Sequence, residues 1–123
     1  MTLSGTNISM TRGDTETLTI RCSVPFAEGD AVYMTVRESA DAAVEFQKVV
    51  TEFENGAAVI VIDHEDTEGM AFGSYLYDIQ AVRESGEVKT LVKPSKLTLT
   101  EEITYGEAAV STEAEAITES EEP

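Results

Sequence analysis

The stretch from residue 73 to residue 83 reads Gly-Ser-Tyr-Leu-Tyr-Asp-Ile-Gln-Ala-Val-Arg and alternates between two faces with a period of two residues. It is rich in aromatic and β-branched residues, and turn-forming residues flank it on both sides. This pattern predicts a β-strand in the middle of a sheet, and the other strands must be arranged around it. We expect its core face to carry Tyr75, Tyr77, Ile79 and Ala81, and its opposite face Leu76, Asp78, Gln80 and Val82.

Other segments show the same alternation and predict further short strands. A short strand is expected around residues 8–10 and longer ones over residues 15–24 and 31–38, and the alternation resumes over residues 96–100. Pro25 ends the strand before it because proline cannot donate to a strand ladder. The predicted inward residues of the two longer strands are Leu18, Ile20, Cys22, Val24, Val32, Met34 and Val36.

Asn55-Gly56 is the strongest hairpin signal in the chain, because both residues tolerate positive φ. A two-residue type I′ turn at this position places Glu54 opposite Ala57 and fixes the register of the flanking strands. The core face of this hairpin is then predicted to hold Val49, Thr51, Phe53, Ala58, Ile60 and Ile62, with Lys48 lying across from Asp63 on the other face.

A second hairpin follows if Ser85-Gly86 is the turn after the central strand. In that register Asp78 faces Lys93 as a salt partner, and Pro94 interrupts the ladder as at an edge or a bulge. The remaining predicted pairs are Ile79 with Val92, Ala81 with Thr90, Val82 with Lys89 and Arg83 with Val88.

About seven or eight short strands with almost no helical periodicity are typical of a β-sandwich or a small barrel. Tyr75 opens a strand after an Asp-Thr-x-Gly crossing, which resembles the tyrosine corner of immunoglobulin-like (Ig-like) sandwiches. We therefore predict an all-β fold, an Ig-like antiparallel β-sandwich of about 7–8 strands. The inter-sheet disulfide and the buried Trp of antibody domains are missing, since Cys22 is the single cysteine and tryptophan is absent.

The charge balance restricts the classes of partner. Asp and Glu number 24 against 8 Lys and Arg, which gives a net charge of -16. A surface this negative repels phosphate backbones and anionic lipid headgroups, so we expect neither nucleic acid nor a membrane as a partner. The sequence has no apolar run of bilayer length and no secretory signal at its start, so we expect an intracellular protein or export by another route.

The length of 123 residues suits one domain. Residues 101–123 contain eight Glu, no Lys or Arg and few large apolar residues. Such a segment cannot bury enough apolar surface to offset the entropy of ordering it. We predict a domain over residues 5–105 and a disordered acidic tail over residues 106–123.

Asp63-His64-Glu65-Asp66 is the one place where a His meets several carboxylates. The stretch matches neither a Ca²⁺ loop of the Asp-x-Asp-x-Asp-Gly type nor a two-His zinc spacing. A solvated turn, with Asp66 or Thr67 capping a short helical turn, is the preferred interpretation. The sequence also lacks a Gly-x-Ser-x-Gly elbow and a Gly-rich phosphate loop, so we expect no catalytic site, no metal, no cofactor and no enzymatic activity.

Arg12-Gly13-Asp14 spells the tripeptide that integrins bind, but it stands directly before a predicted strand. Gly13 can supply a positive φ there, and Asp14 can bond the backbone two residues on. Turn formation is the stronger interpretation of this tripeptide.

Five stretches together resemble one small Ig-like domain that recurs in tail, baseplate and head-fibre proteins of phages and prophages. They lie at residues 8–15, 31–37, 62–67, 73–80 and 96–100, and the resemblance covers about residues 5–101. It implies that turn and corner positions, and not catalytic ones, are held by Gly13, Asp14, Gly73, Tyr75 and Asp78. The hairpin residues Asn55 and Gly56 belong to the same structural set.

The resemblance implies a non-enzymatic virion protein that acts by protein–protein assembly, in a virion or in the cytoplasm of the bacterial host. Other virion proteins would be its partners, and a homo-oligomer is possible. The alternative is a bacterial surface or adhesion module that binds a carbohydrate or a host protein through its loops. A third hypothesis, an acidic tail that imitates nucleic acid to occupy a basic protein, is less favoured than a solubilising tail.

Overall fold

The computed structural model describes residues 2–101 and 115–118, which form nine β-strands and one short helix. In chain order they are β1 Thr2–Ser4, β2 Asn7–Thr11, β3 Glu16–Arg21, β4 Ala31–Arg37, β5 Val44–Val50, β6 Ala58–Ile62, α1 His64–Glu68, β7 Gly73–Val82, β8 Val88–Thr100 and β9 Glu115–Thr118.

The strands form two sheets, so the predicted β-sandwich is confirmed. The first sheet has the order β1-β2-β8-β7-β4-β5, and the second has the order β6-β3-β9. Ig-like sandwiches have strands G, F and C adjacent in one sheet, and β8, β7 and β4 have this arrangement here. Strands B and E of Ig-like sandwiches lie in the other sheet, as β3 and β6 do here. Most strand pairings are antiparallel, as predicted, but two, β2 with β8 and β3 with β9, are parallel and depart from the predicted antiparallel arrangement. The buried core includes Ile8, Met10, Leu18, Ile20, Val32, Met34, Val36, Ala58, Ile60, Ile62, Tyr77, Ile79, Leu97 and Leu99.

Strand β7 lies in the middle of the first sheet, between β4 and β8, as its sequence predicts. Its predicted core face is buried, and its opposite face is half-exposed from Leu76 to Val82. Asp78 therefore lies in the middle of a strand, so its assignment as a turn or corner residue is wrong. Alternation alone places this side chain on the outer side of the sheet.

The turn at Asn55-Gly56 is the predicted one, with φ of 53° and 78° and with Glu54 opposite Ala57. The predicted ladder beyond it is wrong, because β5 pairs with β4 in the first sheet and β6 pairs with β3 in the second. The chain crosses between the two sheets here, so the hairpin register ends one pair from the turn. Val49, a predicted core residue, is consequently 50% exposed.

The β7–β8 hairpin has a three-residue loop where two residues were predicted. The Arg83 N–H donates to the Glu87 carbonyl at 2.8 Å, and Gly86 has a φ of 98°. A glycine with positive φ at the end of such a loop shifts the register by one residue. Two register shifts in the ladder then restore the predicted pair Ile79–Val92 and leave Asp78 opposite the bulge at Lys93 and Pro94. The corrected pairs near the turn are Val82 with Val88, Ala81 with Lys89 and Gln80 with Thr90.

Strand β3 ends earlier than predicted, at Arg21. Cys22 is half-buried and packs against the core, whereas Val24, a predicted core residue, is 56% exposed. The chain bends at residues 23–24 ahead of Pro25, so the alternation no longer points side chains inward. At the other end of β3, the alternation places the Glu16 side chain on the core face, where the residue is 1% exposed.

The predicted tail falls mostly outside the described residues, and four of its residues correct the prediction of disorder. Glu115–Thr118 form β9, which pairs in parallel with β3. Without β9, one edge of β3 would leave its backbone N–H and C=O groups without strand partners, and such an edge pairs readily with another extended segment. The composition of residues 106–123 predicts that they form no core of their own. It does not predict that four of them pair with the edge of β3.

The tyrosine corner predicted at Tyr75 is present in the structure. Its hydroxyl donates to the backbone oxygen of Ala71 at 2.7 Å, and the residue is 7% exposed. Burial, together with the charges of Glu45 and Glu38, raises the pKa of the phenol, so the donor form is kept at neutral pH. The bond ties the start of β7 to the crossing from α1.

Replacing Tyr75 with Phe is expected to lower the free energy of unfolding by about 1 kcal/mol, because the Ala71 carbonyl loses a donor in a half-buried position. Tyr33→Phe is the matched control, since Tyr33 is a half-exposed tyrosine of the neighbouring strand β4. Chemical denaturation of both variants measures the difference. Equal stability of wild type and Tyr75→Phe would show that the corner bond contributes nothing.

Candidate interaction surface

The acidic turn at residues 63–66 has a structural role. Asp63 is the N-cap of α1, and its N–H donates to the Asp66 carboxylate at 2.7 Å. The Lys48 ammonium lies 3.4 Å from Asp63 and 2.9 Å from Asp66. Lys48 therefore contacts Asp63, but the predicted strand ladder and the predicted outward face of Lys48 are wrong, because β5 pairs with β4 and Lys48 lies opposite the buried Met34. Burial lowers the pKa of Lys48, but the two carboxylates raise it overall. No group of three His, Cys, Asp or Glu placed to hold a metal occurs in the described residues.

The Arg12-Gly13-Asp14 loop holds the crossing between α1 and β7. Gly13 has the predicted positive φ of 87°, and the Asp14 N–H closes the turn on Thr11 at 3.2 Å. The Arg12 guanidinium donates to the Met70 carbonyl at 3.1 Å, and its Cζ lies 4.1 Å from the centre of the Phe72 ring. The Gly13 N–H donates to the Thr67 hydroxyl at 2.8 Å. The arginine of this tripeptide is therefore engaged inside the molecule.

The first sheet has one face packed on the core and one face that no other described element covers. The second side carries three of the six large hydrophobic residues that are most exposed in the described chain: Val44 at 44%, Val49 at 50% and Val88 at 58%. We call this side of the first sheet the outer face. From the strand register, its members include Ser9, Thr11, Tyr33, Thr35, Arg37, Val44, Gln47, Val49, Ser74, Leu76, Asp78, Gln80, Val82, Val88, Thr90, Lys96, Thr98 and Thr100.

A recess of about 180 Å³ lies on the outer face, beside the loop between β4 and β5. Asp78 lies beside Thr35 in the β4–β7 register, and the bulge at Pro94 closes the recess on the side of β8. Burial raises the pKa of the Asp78 carboxyl, and the Arg37 guanidinium offsets only part of that effect. The side chains lining the recess are Thr35, Arg37, Ser39, Ala40, Leu76, Tyr77, Asp78 and Pro94.

Asp78 carries a charge that its surroundings disfavour. The Asp78 carboxylate makes no ion pair with Lys93, contrary to the sequence prediction, because the bulge displaces Lys93 from the position opposite Asp78. Across residues 2–101, the Asp78 side chain forms no hydrogen bond or ion pair, and its electrostatic partner is Arg37. A half-buried carboxylate held this way costs stability, as residues at binding surfaces commonly do.

Replacing Asp78 with Asn is expected to raise the melting temperature at pH 7. Because the folded-state pKa is raised, the ionised carboxylate destabilises the fold above that pKa, and the penalty vanishes below the unfolded value of about 3.9. The advantage of the variant should therefore shrink as the pH is lowered from 7 toward 4. Thermal unfolding at several pH values measures this, and a variant less stable than wild type at pH 7 would contradict it.

The edge of the first sheet at β5 is protected against strand addition. Lys48 pairs in register with the buried Met34, so it points toward the inner side of an edge strand. An inward-pointing lysine is one of the devices by which edge strands resist pairing with another chain. The outer face, and not this edge, is therefore the better candidate for contact with a partner.

The structure separates the residues singled out from the sequence into three places. Gly13 and Asp14 lie in the β2–β3 loop, Asn55 and Gly56 in the β5–β6 turn, and Gly73, Tyr75 and Asp78 in β7. Only Asp78 belongs to the recess, and Gly73 begins β7 with a φ of 131°. Sequence reasoning missed the role of Arg37 and Pro94 as its walls. Alternation does place Arg37 on an outward face, but it cannot show that β4 neighbours β7.

Across the part of the chain that the structure describes, no helix has the length and apolar character of a bilayer span.

No protein-family model matches the chain, and no curated protein is significantly similar to it. Among solved structures, the chain is similar to the crystal structure of CopC from Methylosinus trichosporium OB3b, with 10% sequence identity and a TM-score of 0.40. That alignment covers 69% of this chain and 88% of CopC. A similarity of this size carries no argument about the site or the function.

Proposed function

We propose that the chain is a non-enzymatic structural or accessory module of a phage or prophage virion, in the tail, the baseplate or a head fibre, and that it acts by protein–protein assembly. The observation that carries the proposal is the outer face, which has three exposed valines and a recess and which no described element covers. An uncovered, partly apolar sheet face is typical of an interaction site.

Two segments carry a motif that could bind a ligand: the acidic turn at residues 63–66 and the Arg12-Gly13-Asp14 loop. Both have a structural role, and this supports the same proposal. The acidic turn caps α1 and pairs with Lys48, and Arg12 of the second segment bonds the Met70 carbonyl. The adhesion alternative is weaker for the same reason, because two of the loops that could serve it, at Arg12-Gly13-Asp14 and at Asp66, are engaged within the fold. We propose a virion as the location because the sequence resembles Ig-like phage domains.

Mass spectrometry of purified particles tests the proposed function. Particles induced from the strain that encodes the chain are purified on a density gradient and compared with the soluble host fraction. We expect the chain to co-purify with capsid and tail proteins at a constant ratio across the particle peak. A chain found in the soluble fraction and absent from the particles would contradict a virion role.

A further inference from the structure

We propose that two copies of this chain associate through their outer faces, sheet against sheet, about a twofold axis. The inference rests on the proposed assembly function and names the surface and the partner. The outer face exposes apolar side chains. Val49 and Val88 are 50% and 58% exposed on strands that pair with β4 and β7, and Tyr33, Leu76 and Val82 are half-buried beside them.

The charge of the chain restricts which surface can contact a second copy, because a chain with a net charge of -16 repels a copy of itself. The outer face departs from that composition, since it carries Arg37 and Lys96 against a single carboxylate, Asp78. A copy approaching through a strongly acidic side meets only like charge, whereas each outer face carries both signs, so its cations can lie opposite the Asp78 carboxylate of the other copy. Electrostatics therefore favours the outer face as the contact between two copies.

The outer face is also complementary to itself. A twofold contact places each residue of one copy against a counterpart on the other, and both contacts are made twice. The Asp78 carboxylate and the Lys96 ammonium form no ion pair or side-chain hydrogen bond within the described part of their own chain. The two groups are therefore left to pair across the axis, Asp78 of one copy with Lys96 of the other.

The size of the face determines the strength to expect. Neighbouring strands lie about 4.8 Å apart, so the five strands β2, β8, β7, β4 and β5 present a width of roughly 20 to 25 Å. Packing of two sheets at the usual separation of about 10 Å buries an area near the lower limit for a specific interface. We therefore expect a weak dimer in solution, which many copies in a particle would reinforce.

Sedimentation velocity of the full chain tests the proposal, with protein concentrations from about 10 μM to 1 mM. Val49→Glu places an unpaired charge in the outer face, and Val61→Glu is the matched control. Val61 is a 38% exposed valine on β6, the edge strand of the second sheet, and its replacement changes the net charge equally. We expect wild type and Val61→Glu to dimerise, and Val49→Glu to dimerise at least about tenfold more weakly.

Salt separates this contact from one made by the acidic C-terminal segment. Raising the ionic strength screens the long-range repulsion between two copies with a net charge of -16, but it affects the Asp78–Lys96 pairs enclosed in the interface much less, so a dimer through the outer faces should tighten with salt. A contact between glutamates and lysines would weaken instead. A chain that stays monomeric at every concentration, a dimer unaffected by Val49→Glu, or a dimer that weakens with salt would each overturn the proposal. The particle measurement above does not depend on this dimer, so the two proposals fail separately.

Discussion

Asp30→Ala is expected to lower the free energy of unfolding by about 3 kcal/mol at pH 7, because it leaves the Arg83 guanidinium buried without its carboxylate. The Asp30 and Arg83 side chains are 8% and 11% exposed, and Arg83 Nη1 lies 3.0 Å from Asp30 Oδ2. Backbone N–H groups of Ala27 and Glu84 also donate to the carboxylate, each at 2.9 Å. One residue thus joins the β3–β4 loop to the β7–β8 hairpin.

The effect of Asp30→Ala should depend on pH in a defined direction. Burial raises the pKa of the Asp30 carboxyl, but the hydrogen bonds from Ala27, Glu84 and Arg83 and the charge of Arg83 lower it overall. A carboxyl with a depressed folded-state pKa stabilises the fold above its unfolded pKa of about 3.9, and this contribution is lost as the pH falls through the folded value. The difference between wild type and variant should be constant from pH 7 to 5 and shrink below about pH 4.

Urea denaturation of Asp30→Ala at several pH values measures both the size and the pH dependence. Glu68→Ala is the control, because the Glu68 carboxylate is 64% exposed and lies 3.8 Å from His64. An exposed pair of this kind contributes little, so the control should stay within about 0.5 kcal/mol of wild type. A loss below about 1 kcal/mol for Asp30→Ala would show that the Asp30–Arg83 pair does not hold the hairpin.

Gly56→Ala is expected to cost about 3 kcal/mol, from two separate causes. The φ of 78° is unfavourable for a residue with a Cβ by about 1 to 2 kcal/mol. An ideal Cβ at this position would also lie 2.7 Å from the Pro25 Cβ, so one of the two chain segments must shift. Such overpacking adds roughly 1 to 3 kcal/mol.

Gly5→Ala separates the two causes, because Gly5 has a φ of 62° and no heavy atom within 4 Å of the added Cβ. It should lose only the backbone contribution, about 1 kcal/mol. Thermal unfolding of both variants gives the difference, for which we expect a lower melting temperature of Gly56→Ala by several degrees, roughly 5 °C or more. Equal losses would mean that Pro25 yields to the new methyl group without cost.

Gly56 also shows how far the sequence predicts the fold. Asn55-Gly56 predicts its own turn because φ preference is local to the two residues. The pairing of the flanking strands depends on contacts with strands that are distant in the chain. Two consecutive strands with alternating patterns look the same in sequence whether or not they belong to the same sheet. For the same reason the contact between Gly56 and Pro25, 31 positions apart in the chain, was beyond prediction.

The sequence predicts which residues of the candidate surface point outward, but not which strands bring them together. Alternation assigns Asp78 and Arg37 to outward faces of their strands. The recess between them exists because β4 pairs with β7 and because two register shifts in the β7–β8 ladder bring Pro94 beside Asp78. Bulges of this kind depend on the loop type at the hairpin end, and the sequence leaves a choice between a two-residue and a three-residue loop at Ser85-Gly86.

Incorporation of the chain into particles tests most directly the claim that the outer face is the functional surface. Val49→Glu and Val61→Glu are produced in a host whose own copy is deleted, and each variant is quantified in purified particles by mass spectrometry against the capsid protein. We predict that Val61→Glu is incorporated like wild type and that Val49→Glu is reduced by about tenfold, the effect of about 1.4 kcal/mol lost at one contact. Equal incorporation of the two variants at the wild-type level would contradict the assignment of the outer face.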